Sequence, residues 1–126
     1  MLTGSCLCGG IHYQYAGDIT EIALCHCQQC RKAQGSAFAS NSPIDSRLFT
    51  FTQGEELLQS YYSSPLKKRV FCQRCGSPEI IRLRLGTLDS PISCQPSYHI
   101  YAASKAEWWT INDDKPQYSK LKPREN

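Results

Sequence analysis

The sequence predicts a mainly β fold of short antiparallel strands with one short helix, stapled by zinc rather than by a large apolar core. Three observations predict it. Brief apolar-alternating segments recur along the chain, turn-forming clusters interrupt them, and eight cysteines fall mostly into groups. Leu, Ile, Val and Phe supply only 25 of the 126 residues. A core that small needs a staple, and in a reducing compartment that staple is a metal ion, not a disulfide.

The elements follow in order. Ile11, Tyr13 and Tyr15 alternate with His12 and Gln14, which marks a half-buried strand. Thr20 to Cys25 is a second strand, apolar at Ile22 and Leu24. Phe38, Arg47 to Thr52, Leu57 to Tyr62, Lys68 to Cys72, Ile80 to Leu85 and Tyr98 to Ala102 are further extended pieces. Gly9-Gly10, Ser42-Pro43, Gln53-Gly54, Ser63-Ser64-Pro65 and Ser77-Pro78 separate them. Gln28 to Gln34 holds good helix formers, and Gly35 stands where a C-terminal cap belongs. We expect one domain over residues 1–126, with a core from about 4 to 118 and a polar tail, 113–126, that frays at its end.

Composition excludes several classes. No run of about 18 apolar residues exists, so no membrane helix is expected. The opening Met1-Leu2-Thr3-Gly4-Ser5-Cys6 lacks a basic leader and a long apolar stretch, so a cytoplasmic location is expected. A net charge of +3, from 14 basic and 11 acidic residues, does not demand a nucleic-acid partner.

The cysteines carry the chemistry. Cys6-Leu7-Cys8 is a C-x-C pair, Cys72-Gln73-Arg74-Cys75 a C-x-x-C pair, and Cys25-His26-Cys27-Gln28-Gln29-Cys30 a C-x-C-x-x-C triplet; Cys94 stands alone. Residues at i and i+2 of an extended segment point to one side, and a C-x-x-C turn curls around an ion. Gly9 and Gly76 follow the two pairs and let the backbone bend so that its N–H groups face sulfur. Cys6, Cys8, Cys72 and Cys75 therefore make a closed, structural zinc site, and its binding energy is folding energy.

The triplet supplies three corners of a second tetrahedron. Three protein ligands and one exchangeable position are the signature of a catalytic zinc, and this second zinc is expected to be the more labile. Against that stands closure of the fourth corner by His26, His99 or Cys94, with His26 the weakest because it should point away from its neighbours. Cys94 otherwise reads as a small buried hydrophobe, and His12 and His99 as ordinary strand histidines. The helix start would favour thiolates at the triplet. Arg31 and Lys32 follow it and are candidates to hold a substrate carboxylate. Trp108-Trp109 is expected in the core, and Lys67-Lys68-Arg69 on a solvated turn.

Gly4-Ser5-Cys6-Leu7-Cys8-Gly9-Gly10 resembles the opening of the glutathione-dependent formaldehyde-activating enzyme family, which includes the centromere protein V-like domain. The resemblance continues through Cys25 to Lys32, Gly35-Ser36-Ala37-Phe38, Arg69 to Pro78, Gly86-Thr87-Leu88-Asp89, His99-Ile100-Tyr101 and Ser104 to Trp109, and closes at Pro116-Gln117-Tyr118. It implies a β-tent fold, with Cys6, Cys8, Cys72 and Cys75 on a structural zinc and Cys25, Cys27 and Cys30 on a catalytic one. It further implies a carbon–sulfur lyase that forms S-(hydroxymethyl)glutathione. Two departures stand out: the Pro78–Gly86 segment is short, and Glu107 replaces a usual proline.

The expected function is thus a zinc-dependent carbon–sulfur lyase acting on thiol adducts of small electrophiles, with glutathione and a small aldehyde as partners. The rival expectation is a non-enzymatic zinc module that binds nucleic acid or protein through Lys67-Lys68-Arg69 and the lysine-bearing tail. The even charge balance weighs against it.

Overall fold

A computed structural model describes residues 1–79 and 82–123, and these form three small sheets and one α-helix. The first sheet joins β1 (Leu2–Ser5), β2 (His12–Tyr15) and β5 (Phe49–Gln53) in the order β1-β2-β5, all antiparallel. The second runs β10 (Tyr98–Ile100), β3 (Ala23–Cys25), β4 (Ala39–Ser42), β9 (Leu83–Arg84). The third is β6 (Leu58–Ser64), β7 (Lys67–Cys72) and β8 (Pro78–Glu79).

The mainly β expectation holds, with short strands and the helix α1 over Gln28–Gln34. Gly35 ends α1 in the left-handed region at φ 62°, and its N–H donates to the Arg31 carbonyl. One expectation needs correcting. The strands are not all antiparallel, because β10 lies parallel to β3 with His99 opposite Leu24. Beyond β10 the tail docks instead of dangling at once: Gln117 bridges His99 in parallel, and Tyr118 N–H donates to the His99 carbonyl at 2.9 Å. The predicted fraying of the tail end falls on residues 124–126, and part of the Ile80–Leu85 strand on residues 80–81; both lie outside the described residues.

The core is divided, as a thin apolar supply dictates. Tyr13, Tyr15, Ile19, Ile22, Leu24 and Leu83 form one cluster. Ala23, Cys25, Cys30, Ala39 and Ile100 form another, and Cys6, Ile11 and Cys72 a third. Alternation along β3 sends Leu24 to the first cluster and Ala23 and Cys25 to the second, so all three residues are buried. Trp108 and Trp109, expected in the core, are 71% and 37% exposed. They follow the 3₁₀ turn at Ala102–Ser104, and Trp109 meets Phe38 edge-on across the surface.

Gly54 sits where β5 hands over to β6, at φ 77°. A Cβ there would stand 2.0 Å from the Gly10 carbonyl oxygen. Gly54→Ala is therefore expected to cost about 3 kcal/mol or more, from backbone strain plus a clash with backbone that cannot yield. Urea unfolding checks this; a loss below about 1 kcal/mol would refute the reading.

Candidate metal centres

Both cysteine groups assemble. The thiol sulfurs of Cys6, Cys8, Cys72 and Cys75 all lie within 4.8 Å of one another. Cys6 and Cys8 Sγ are 3.5 Å apart, and Cys8 and Cys72 Sγ 3.9 Å. Four sulfurs at ~2.3 Å from one ion stand ~3.8 Å apart, so this set is close to the spacing a tetrahedral metal needs. The two supporting turns are alike. Gly9 and Gly76 are left-handed at φ 76° and 78°; Gly9 N–H donates to the Cys6 carbonyl and Gly76 N–H to that of Cys72. Ile11 N–H reaches Cys6 Sγ at 3.3 Å. Hydrogen bonding from the Gly10 backbone pulls the Cys8 thiol down. Burial pushes Cys75 up, but the backbone at Ser77 and Cys8 and the neighbouring thiols outweigh it and bring it to about 6. Such sulfurs give up protons readily, as metal binding requires.

Cys25, Cys27 and Cys30 likewise lie within 4.8 Å of one another. Among the described residues no fourth Cys, His, Asp or Glu joins them. Cys25 closes β3, Cys27 is the N-cap of α1 and Cys30 lies one turn in; the Cys27 sulfur accepts the Cys30 N–H at 3.3 Å. Hydrogen bonds from Cys25, Cys27 and Arg69 overcome burial and hold the Cys30 thiol far below its ordinary value. The Cys30 thiolate and burial in turn push Cys25 up.

The three residues weighed as a fourth ligand all go elsewhere. Cys94 is half-buried against the Tyr13 cluster and its thiol donates to the Gln95 carbonyl. His26 is fully buried with its ring turned away from the triplet, as expected, and its Nε2 is 2.8 Å from His99 Nδ1. His99 Nε2 is 3.0 Å from both Asp113 carboxylate oxygens. A carboxylate only accepts, so His99 carries its proton on Nε2 and takes the His26 Nε2–H on Nδ1. Burial and the facing His99 keep the His26 pKa down, and the ring neutral. This Asp113–His99–His26 chain pins the loop between Cys25 and Cys27 to the docked tail. Asp113→Ala is expected to lower the midpoint of thermal unfolding, because the buried His99 Nε2–H loses its acceptor; a midpoint unchanged from wild type would overturn that.

Arg31 and Lys32 part company. Arg31 Nε donates to the His26 carbonyl and its Nη2 to the Ser104 carbonyl, so it fastens α1 to the chain beyond β10. Lys32 lines a groove of about 900 Å³ that opens beside Cys25 and Cys30. Sequence reasoning missed the other residues there. Arg69 reaches across from β7, with Nη1 3.8 Å from Cys30 Sγ, Nη2 3.3 Å from Gln29 Oε1 and Nε 3.2 Å from Ser63 Oγ. Arg84, on β9, donates from Nη1 to Asn41 Oδ1. Of these, Lys67-Lys68-Arg69 reads in the sequence as a basic run; it does not form the expected solvated turn but opens β7, in line with the extended piece expected from Lys68 to Cys72. Six of the chain's 14 cations (Lys32, Lys67, Lys68, Arg69, Arg82, Arg84) line the groove, and no acidic side chain does among the described residues.

A model of the glutathione-dependent formaldehyde-activating enzyme family matches residues 1–104. The chain belongs to that family. Membership supports an enzyme with a glutathione-dependent formaldehyde-activating function, and glutathione and formaldehyde are the substrates the family name gives. The matched region ends before Asp113, so the tail that completes the histidine chain lies outside the part by which the family is recognised. A Rhodobacter sphaeroides protein of known crystal structure is similar in fold, at 23% identity and a TM-score of 0.50, over 60% of this chain and 69% of its own. No match is found among curated proteins. No helix of the described residues is long and apolar enough to cross a membrane.

Proposed function

We propose that this family member is a zinc-dependent carbon–sulfur lyase of the S-(hydroxymethyl)glutathione type. One observation carries the reading: a three-thiol cluster, with no fourth protein ligand among the described residues, puts Cys25 and Cys30 in the wall of a cationic groove. Cys6, Cys8, Cys72 and Cys75 would hold a structural zinc; Cys25, Cys27 and Cys30 would hold a second, more labile one. When bound at the triplet, zinc lowers the pKa of a thiol and keeps it as a nucleophile.

The protein's own groups do the rest. Arg69 donates to Cys30 Sγ and so offsets the negative charge that three thiolates concentrate. Lys32, Lys67 and Lys68, exposed along the groove, would take the carboxylates of a peptide thiol and set the sulfur over the triplet. In synthesis the thiol sulfur bonds to the aldehyde carbon, the carbonyl π pair moves to oxygen, and that oxygen takes up the proton the thiol gave. In the reverse direction the carbon–sulfur bond breaks and the aldehyde leaves. No oxidant or reductant enters.

Cobalt-substituted protein tests this. Adding glutathione should change the visible bands of about one of two metals, saturably and without metal loss, while a peptide lacking the thiol does nothing. Spectra that stay unchanged across a panel of thiols would overturn the reading in favour of two closed sites.

A further inference from the structure

We propose that two copies of this chain associate through β6, edge to edge and antiparallel, about a two-fold axis at Tyr61. The inference stands apart from the chemistry proposed above. β6 is the outer strand of its sheet and pairs with β7. Its sequence, Leu58-Gln59-Ser60-Tyr61-Tyr62-Ser63-Ser64, holds no charge and no proline, the usual means of blunting an open edge. Residues 59–62 are all exposed, Tyr61 by 65% and Tyr62 by 60%. Two other edges are covered from within the chain. The Thr3 carbonyl of β1 accepts the N–H groups of Asp89 and Ser90, and β10 is flanked by the tail at Gln117.

The hydrogen bonding of β7 decides which groups of β6 point outwards. Cys72 N–H donates to the Ser77 carbonyl and the Cys72 carbonyl accepts Gly76 N–H, so Cys72 faces away from β6. Leu58 stands opposite Cys72 and so faces away from β7; by alternation Ser60 and Tyr62 do the same. The Leu58 N–H is taken by the Glu55 carbonyl. The main-chain N–H and C=O of Ser60 and Tyr62 have no partner among the described residues.

The strand that fits this edge is β6 itself. A second copy running antiparallel sets Ser60 against Tyr62 and Tyr62 against Ser60, and each such pair exchanges two hydrogen bonds. Tyr61 then meets its own counterpart at the axis, in the closer, non-hydrogen-bonded kind of pair where aromatic side chains touch. Other registers fail. Centring on Ser60 needs the Leu58 N–H that Glu55 holds, and centring on Tyr62 runs into the irregularity between Tyr62 and Ser64. Charge permits the pairing. Lys67, Lys68 and Arg69 lie on β7, so the two basic runs stand three strand spacings apart, about 14 Å. Salt at physiological strength screens charges over about 8 Å. The axis is perpendicular to the sheet, so both cationic grooves open on one face. Tyr61 lines its own groove, opposite Arg69 in the strand register, and its counterpart would stand at the rim.

Sedimentation of the zinc-loaded protein tests this. The average mass should rise from one chain at ~1 µM towards two at ~1 mM, the range in which a small interface associates. Added salt should favour the dimer, because it screens the two basic runs. Amide exchange at Ser60 and Tyr62 should slow as concentration rises. Ser60→Pro removes an outward N–H without touching the β7 ladder, and should keep the chain a monomer throughout. Tyr61→Lys, at an exposed position, should do the same by setting like charges across the axis, with circular dichroism confirming the fold of each variant. A wild-type protein still monomeric at ~1 mM would overturn the proposal. So would a dimer that leaves the Ser60 and Tyr62 amides unprotected, or one that persists in both folded variants, since either places the contact elsewhere.

Discussion

Serine in place of Cys72 should leave the chain unfolded. Cys72 has no exposed surface and belongs at once to a four-thiol cluster and to the small core around Cys6 and Ile11. That core is too small to hold the fold by itself. A structural zinc contributes on the order of 10 kcal/mol, comparable to the whole stability of a domain this size. Circular dichroism should show loss of the native β signature, and metal analysis should show the closed site empty. A variant that keeps near-native stability and a single thermal transition would show that the cluster is dispensable.

The second large effect separates chemistry from folding. Cys27→Ser should reduce thiol-dependent activity at least about 10³-fold, the scale expected when a catalytic group is removed. The fold should survive. Cys27 is the N-cap of α1, where its sulfur accepts the Cys30 N–H, and serine is among the best residues for that task. The cap is kept while a soft metal ligand is lost. Metal content should fall by about one ion per chain, with the closed site still filled. Activity persisting with the triplet emptied would sink the mechanism.

How much of this was legible depended on the range of the interaction. The helix Gln28–Gln34 and its Gly35 cap are local, and they were read to the residue. The cysteine groups were legible because C-x-C and C-x-x-C spacing leaves few geometries open. Long-range pairings were not. The parallel match of β10 to β3 brings His99 beside Leu24, and nothing in either segment announces it. Arg84 meets Asn41 only because β9 pairs with β4. Nearness in sequence does not tell where Arg31 reaches: its place on the helix turns it to the His26 and Ser104 backbone carbonyls. Tryptophans suggested core by size alone, yet the three existing clusters already enclose the strands, leaving Trp108 outside.

One strand belongs to both cysteine clusters. β7 ends in Cys72, inside the closed cluster, and three residues earlier presents Arg69 to Cys30 of the open one. On the two-zinc reading proposed above, loading is ordered: until the first ion is in place, the wall of the second site would have no fixed position, and a chain with only the triplet filled would have no stable form. In a cell short of zinc, this protein would not persist as a folded but inactive pool. It would divide into fully competent molecules and unfolded ones open to proteolysis, so that its abundance, rather than its specific activity, would follow the supply of metal.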